Sequence, residues 1–195
     1  MDDGSSHPVN IATTQLSADG RRRFTFVSWS DGQPQSHTLI GSLAGTTLTA
    51  NLTSEYKLIA ASTLDGQVKA DTNIDLAGTF LPAGRAVQLT ATPDPGKIFY
   101  GWSGDVTSNN AVISVPMDRP FTVTGNFAGA LVTADVVAQL LGPTQPLSAA
   151  QVNFLDSQGN NNGLFDIGDF LAWVKATGAP VSPAMLQQLS RGGRP

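Results

Sequence analysis

Val87-Gln88-Leu89-Thr90-Ala91-Thr92-Pro93-Asp94-Pro95-Gly96-Lys97-Ile98-Phe99-Tyr100-Gly101-Trp102-Ser103-Gly104-Asp105 is the stretch whose reading decides the fold. Its first six residues alternate apolar and polar, the period of a half-buried strand. Pro93-Asp94-Pro95-Gly96 is a strong turn signal. Ile98 to Trp102 then reads as a second strand, stopped at Gly104-Asp105. Outward from there, Ala111 to Val115 and Phe121 to Phe127 repeat the pattern after Asn-Asn and Asp-Arg-Pro breaks. Upstream, Lys57 to Ser62 and Gly66 to Ala70 read as a hairpin. Strand runs this close together, rich in Thr and Val and separated by Gly and Pro, predict an all-β region.

The same pattern occurs twice. Phe26-Val27-Ser28-Trp29-Ser30-Asp31-Gly32 lines up with Phe99-Tyr100-Gly101-Trp102-Ser103-Gly104-Asp105 at an offset of 73. The offset holds to Leu39-Ile40 against Val112-Ile113. It becomes 75 at Leu48-Thr49-Ala50-Asn51-Leu52 against Val123-Thr124-Gly125-Asn126-Phe127. The drifts fall in turn-like segments, where insertions are tolerated. The first copy begins only near Val9, and the hairpin that should precede it is missing. We therefore expect either a longer parent chain upstream or a hairpin donated by another chain. The fold class that follows is mainly β, with two small tandem β domains and a C-terminal helical module. The expected boundaries are 1–56 for a truncated first repeat, 57–128 for the second, 129–190 for the helical module and 191–195 for a tail.

Composition narrows the class. The chain has 195 residues, 41% of them hydrophobic, 13% charged, and a net charge of -4. A mildly acidic chain carries no electrostatic footprint for nucleic acid. Cysteine is absent, which excludes disulfides and zinc-thiolate sites. No apolar run is long enough to span a membrane. Met1-Asp2-Asp3-Gly4-Ser5-Ser6-His7 lacks the basic and apolar regions of a signal peptide. Of the fifteen acids, only Glu55 is Glu; the rest are Asp, the residue of turns and metal loops.

The segment Gly78 to Gly84, Val87 to Pro93, Phe99 to Asp105 and Val112 to Ala128 resembles the divergent InlB B-repeat family, well over 57–128 and partially over 9–54. That resemblance implies small bacterial extracellular β modules used as spacers in adhesins and secreted enzymes, with no catalytic residues. It places the chain extracellularly or at the cell surface, joined to upstream domains of a larger parent protein. Trp29 and Trp102 are candidate ligand-binding residues, as sugar-stacking platforms. Their recurrence at one position of both copies instead favours a core anchor, because a large aromatic dominates a small core. Arg21-Arg22-Arg23 reads as a solvated hairpin tip and His7 as part of a mobile terminus. Ser36, His37 and Asp31 share one loop–strand stretch but lack a nucleophile elbow, so they do not read as a triad.

From Gly129 the period becomes helical. Asp135 to Leu141 stops at Gly142-Pro143. A second helix starts with Ser148 as N-cap, its apolar face formed by Val152, Phe154 and Leu155. A third, carrying Phe170 to Val174, ends near Gly178. Ser182-Pro183 opens a fourth, with Met185, Leu186 and Leu189 on its apolar side. Between the second and third lies Asp156-Ser157-Gln158-Gly159-Asn160-Asn161-Asn162-Gly163-Leu164-Phe165-Asp166-Ile167-Gly168-Asp169. A hard cation such as Ca²⁺ takes six to eight oxygens, and the 12-residue loop that supplies them has ligands at 1, 3, 5, 7, 9 and 12 with Gly at 6. Gly163 as the sixth residue makes Asn160, Asn162, the Leu164 carbonyl, Asp166 and Asp169 the later ligands. The first is Gln158, or Asp156 if the loop is two residues longer with a bulge at Gly159. Asn in place of Asp at two positions predicts an affinity of roughly 10⁻⁵ to 10⁻³ M.

A final Asp followed by a helix resembles the dockerin family, over residues 129–190. Gly129 to Val136 aligns with Gly163 to Phe170 at an offset of 34 as a degenerate, metal-free first half. The resemblance implies a Ca²⁺ module and a cohesin-like or cell-surface partner. The functional expectation is a non-catalytic extracellular spacer or attachment region with one structural Ca²⁺ site. The alternative is an adhesin or carbohydrate-binding module, with a filament assembled through β edges as a variant. An enzyme is not expected: two histidines, one glutamate and no GxxxxGK phosphate motif leave no constellation for catalysis.

Overall fold

The computed structural model describes residues 4–42 and 45–192. The strands are β1 Ser6–Val9, β2 Thr14–Leu16, β3 Arg22–Trp29, β4 His37–Ile40, β5 Ala50–Ser62, β6 Gly66–Ala70, β7 Thr79–Pro82, β8 Ala86–Pro93, β9 Lys97–Gly104, β10 Val112–Pro116 and β11 Phe121–Gly129. The helices are α1 Thr133–Leu141, α2 Ala149–Gln158, α3 Ile167–Thr177 and α4 Pro183–Gly192. The protein is thus mainly β, with short C-terminal helices.

The chain divides into two compact units by its contacts. The first comprises 1–60, 70–89 and 114–122; the second comprises 61–69, 90–113 and 123–195. The expected boundary at 56/57 falls inside β5, which runs unbroken for 13 residues. No linker separates the two sequence copies there. The expected hairpin of 57–62 with 66–70 is also absent: β6 belongs to a three-stranded sheet of order β10-β8-β6, while β5 pairs with β3 and β7. Periodicity marks a strand but is silent about its partner, so the turn at Thr63–Asp65 carries the chain between sheets instead of back along one.

In the first unit β1 pairs antiparallel with β4, from Ser6↔Ile40 to Val9↔His37. The mobile terminus expected around His7 is therefore a paired strand. β2 pairs with β3, β3 with β5 from Arg22↔Tyr56 to Trp29↔Ala50, and β7 with β5 from Glu55↔Pro82 to Leu58↔Thr79. Leu58, Val87, Leu89, Val115 and Met117 are fully buried, with Leu81 and Phe121 nearly so. The Arg21–Arg23 triplet is not a loop tip. The turn lies at Ser17–Gly20, and Arg22 and Arg23 belong to β3. The Arg23 Nε–Glu55 Oε2 distance is 2.6 Å, and the Arg23 guanidinium lies over the Phe80 ring. Arg22 lies over Phe24 and Tyr56. Long cationic stems cover apolar surface readily, which is why Arg22 and Arg23 can occupy a strand.

In the second unit β11 pairs antiparallel with β9, from Val123↔Gly104 to Gly129↔Lys97. Burial along β11 follows the strand period, with Val123, Gly125 and Phe127 inward. Gly66 faces the Phe127 ring too closely for any Cβ, so the start of β6 needs glycine. α1 to α4 bury a separate apolar cluster of Val136, Val137, Leu155, Phe170 and Trp173. The cap predictions hold: Ser148 forms a capping box with Gln151, α3 ends at Gly178 in the left-handed region, and the Met185 amide donates to Ser182 Oγ at 3.3 Å.

Candidate functional site

The polar stretch is not a loop throughout. α2 continues through Asp156 and ends at Gln158. Asp156 is consequently on the last helical turn and 6% exposed. Its Oδ1 accepts the Asn162 amide at 3.0 Å and its Oδ2 the Gly163 amide at 3.0 Å. Asn160 Oδ1 accepts Asn162 N–H at 3.1 Å, and Asn162 Oδ1 accepts Leu164 N–H at 2.8 Å. Asp166 is the N-cap of α3; its Oδ1 accepts the Gly168 amide at 2.7 Å and the Asp169 amide at 3.4 Å. Asp169 returns the capping box by accepting Asp166 N–H at 2.9 Å on Oδ2, and takes Asn160 N–H at 3.1 Å on Oδ1.

Asp169 is wholly buried, which position in a polar loop does not foretell. The reason is Gly159. A Cβ there would stand 2.8 Å from Asp169 Cα and closer still to its carboxylate, so a side-chain-free residue lets α3 press Asp169 against the end of α2. Asn161 (φ 52°) and Gly163 (φ 87°) then turn the chain through the left-handed region, which Asn and Gly tolerate.

The structure therefore brings Asp156, Asn160, Asn162, Asp166 and Asp169 into one hydrogen-bonded unit. It does not bring Gln158 in: that side chain donates to Ser157 Oγ at 3.5 Å. Leu164 is exposed, and its amide is held by Asn162. Among the described residues no three acidic or histidine side chains stand together in a metal-holding cluster, because the carboxylates are turned onto backbone amides. No Lys, Arg or His of the described residues forms an ion pair with Asp156, Asp166 or Asp169.

The aligned first half shares the helix geometry without the chemistry. α1 starts at Thr133 and α3 at Ile167, the 34-residue offset read from the sequence. Val136 and Phe170 are both fully buried. But the N-cap of α1 is Val132, which makes no side-chain cap, and Asp135 is exposed where Asp169 is buried.

The tryptophans share an arrangement that sequence spacing alone misses. In β3 the register shifts between Phe26 and Ser28, leaving Val27 as a bulge; in β9 the corresponding bulged residue is Tyr100, opposite Asn126/Phe127. Residues three apart on a regular strand face opposite sides, and one extra residue restores them to the same side. The Phe26 and Trp29 rings are accordingly 5.5 Å apart, and those of Phe99 and Trp102 are 5.6 Å apart. Trp29 Nε1 donates to Gln35 O at 3.0 Å and Trp102 Nε1 to Asn110 O at 2.9 Å. Trp102 is 4% exposed. Trp102, a buried indole with its N–H satisfied, is an anchor, while Trp29 is half-buried. His37 Nε2 lies 3.2 Å from Asp31 Oδ2, and its Nδ1 is 2.9 Å from Pro34 O; Ser36 makes no bond to it among the described residues.

Tyr100 ties the strands to the helices of this unit. Its hydroxyl donates to Gly129 O at 2.7 Å, and Gln151 Nε2 donates to the same carbonyl at 3.0 Å. The Tyr100 ring meets Phe154 of α2 edge-on at 5.2 Å. Burial raises the Tyr100 pKa, against hydrogen bonding from the Gln151 side chain and the Leu131 backbone, which lowers it.

Residues 56–130 match the divergent InlB B-repeat domain family. The match covers the segment from the middle of β5 through β11. No curated protein and no solved structure matches the chain. A domain of this family is consistent with a surface or extracellular protein region. Among the described residues no helix is long and apolar enough to cross a membrane.

Proposed function

We propose that this chain is a non-catalytic spacer and attachment region of a larger surface or secreted protein. In this reading an InlB B-repeat-like β region is closed by a dockerin-like helical module holding one structural Ca²⁺. The observation that carries the reading is the burial of Asp156 and Asp169 with no cationic side chain among the described residues paired to them. Burying an ionised carboxylate without a counter-charge is costly. Backbone amides offset part of that cost. A carboxylate has about four acceptor sites, and the bonds formed by Asp156 and Asp169 use one per oxygen. The donor set of Asp156, Asn160, Asn162, Asp166, Asp169 and the Leu164 carbonyl is all oxygen, as a hard cation requires. Ca²⁺ there would supply the missing positive charge and lock α2 to α3.

Two further parts of the reading have their own support. The matched bulges at Val27 and Tyr100, with their Phe–Trp pairs, support an internal duplication of the β motif. The matched starts of α1 and α3 support a helical duplication whose first loop has lost its ligands. A binding site that exists only in the folded state stabilises it by mass action, about 2.7 kcal/mol at a hundredfold excess over Kd. The test is a thermal melt in EDTA and in millimolar Ca²⁺. In 1 mM Ca²⁺ a rise of roughly 5–10 °C is expected at the tight end of the affinity range and about 1–2 °C at the weak end; an unchanged melting temperature sinks the calcium reading.

A further inference from the structure

A cleft of about 440 Å³ opens within the second unit, and neither the calcium reading nor the family match uses it. It lies between β9, the loop that follows it, β11 and α2. Its size is that of small-ligand sites, about 300–1,000 Å³. Its chemistry is uniform. Of its twelve lining residues eight are Ser, Thr or Asn, among them Thr107, Asn109, Asn126, Asn153 and Asn161, and none carries a charge. Tyr100, Trp102, Phe154 and Ala150 complete the lining.

Each feature removes a class of ligand. A charged ligand would enter without a counter-charge, at a desolvation cost nothing in the cleft offsets. A purely apolar ligand would strand the amides and hydroxyls without partners. What remains is a neutral molecule dense in hydrogen-bonding groups, with C–H faces to set against aromatic rings. Several groups are available to receive it: among the described residues the Asn153 side-chain amide and the Thr107 hydroxyl, like the Asn109 and Asn161 side-chain amides, make no hydrogen bond, and all four residues are exposed. The Asn126 amide nitrogen is already committed to Gly101 O at 3.0 Å and Ser103 Oγ at 2.9 Å, which fixes the orientation of its carbonyl oxygen. Asn161, at the edge of the same cleft, is held at φ 52°, a conformation non-glycine residues rarely adopt.

We propose that this cleft binds a short stretch of neutral glycan, with Asn153 and Thr107 supplying hydrogen bonds to sugar hydroxyls. The proposal does not depend on calcium. It also differs from stacking on an open tryptophan face, since Trp102 remains an anchor.

The test is an amide-resolved NMR titration of the full chain with cellohexaose, xylohexaose, mannohexaose and chitohexaose, each to about 10 mM, and with an acidic hexagalacturonate as a charged control. Kd values in the millimolar range correspond to about -4 kcal/mol, within reach of a few hydrogen bonds. At least one neutral oligosaccharide should give saturable shifts at the Asn109 and Asn153 side-chain amides. Asn153→Ala and Thr107→Ala should each weaken that binding at least about fivefold while the melting temperature stays unchanged. The proposal is overturned if none of the four neutral sugars shifts these signals. It is equally overturned if both variants bind like the parent, or if hexagalacturonate binds more tightly than every neutral oligomer.

Discussion

Single residues decide the chemistry of the polar loop. Asp156 and Gln158 compete for the first ligand position in the sequence, two residues apart. In the structure one is buried with both oxygens on loop amides, while the other points to Ser157. Asp156→Asn should therefore abolish the calcium-dependent rise in melting temperature, and Gln158→Ala should leave it intact; calorimetry of both variants with and without EDTA checks this. Equal behaviour of the two would remove Asp156 from the site. Gly159 is the second such residue. Gly159→Ala would drive a methyl group into Asp169, and since the obstruction includes backbone, the end of α2 must shift. A loss of about 1–3 kcal/mol in urea unfolding is expected, the scale of overpacking in a filled site. Gly163→Ala meets no such obstruction and is strained only by its φ of 87°.

At the scale of elements, bulges and caps do what strand and helix periodicity cannot. The bulges at Val27 and Tyr100 turn a three-residue spacing into a cofacial Phe–Trp pair where alternation would have split it. Tyr100 also joins β9 and the end of β11 to α2 through Gly129 O. Tyr100→Phe keeps the ring and the Gln151 bond and loses one hydroxyl, a cost of about 0.5–1.5 kcal/mol near neutral pH. The pH dependence follows from burial. The folded-state pKa of Tyr100 is raised, so its contribution is complete below the unfolded value near 10 and declines as pH rises through the folded value. The stability gap between wild type and Tyr100→Phe should thus narrow above pH ~10. Urea titrations at neutral and alkaline pH measure it, and a gap that widens would refute the assignment.

For the whole molecule, β5 is the element that the linear order of repeats conceals. The sequence places a domain boundary at 56/57, yet Glu55 and Tyr56 pair with Pro82 and Leu81 on the same strand that carries Lys57 and Leu58 to Phe80 and Thr79. A chain beginning at residue 57 loses half of that ladder, one beginning at residue 45 keeps all of it, and both lack β3. The shorter chain should unfold at a clearly lower urea concentration than the one beginning at residue 45, and digest faster near β7 under limited proteolysis; equal stability would show that residues 45–56 add nothing to the fold downstream. Locally encoded features were legible without a structure. The alternation of Val87 to Ala91, the turn at Pro93–Gly96, the caps at Ser148 and Gly178, and the oxygen-rich loop between two helices each depend on neighbours a few residues apart. Val87-Gln88-Leu89-Thr90-Ala91 has to be a half-buried strand because its own period says so. The tertiary structure alone decided the pairings that depend on residues far apart in the chain. It gave β6 to another sheet, ran β5 unbroken from Ala50 to Ser62, and put Arg22 and Arg23 in β3. It also buried Asp169 against Gly159. Side-chain period reports which face of a strand is apolar, and many partners can satisfy an apolar face; only the packed chain selects among them.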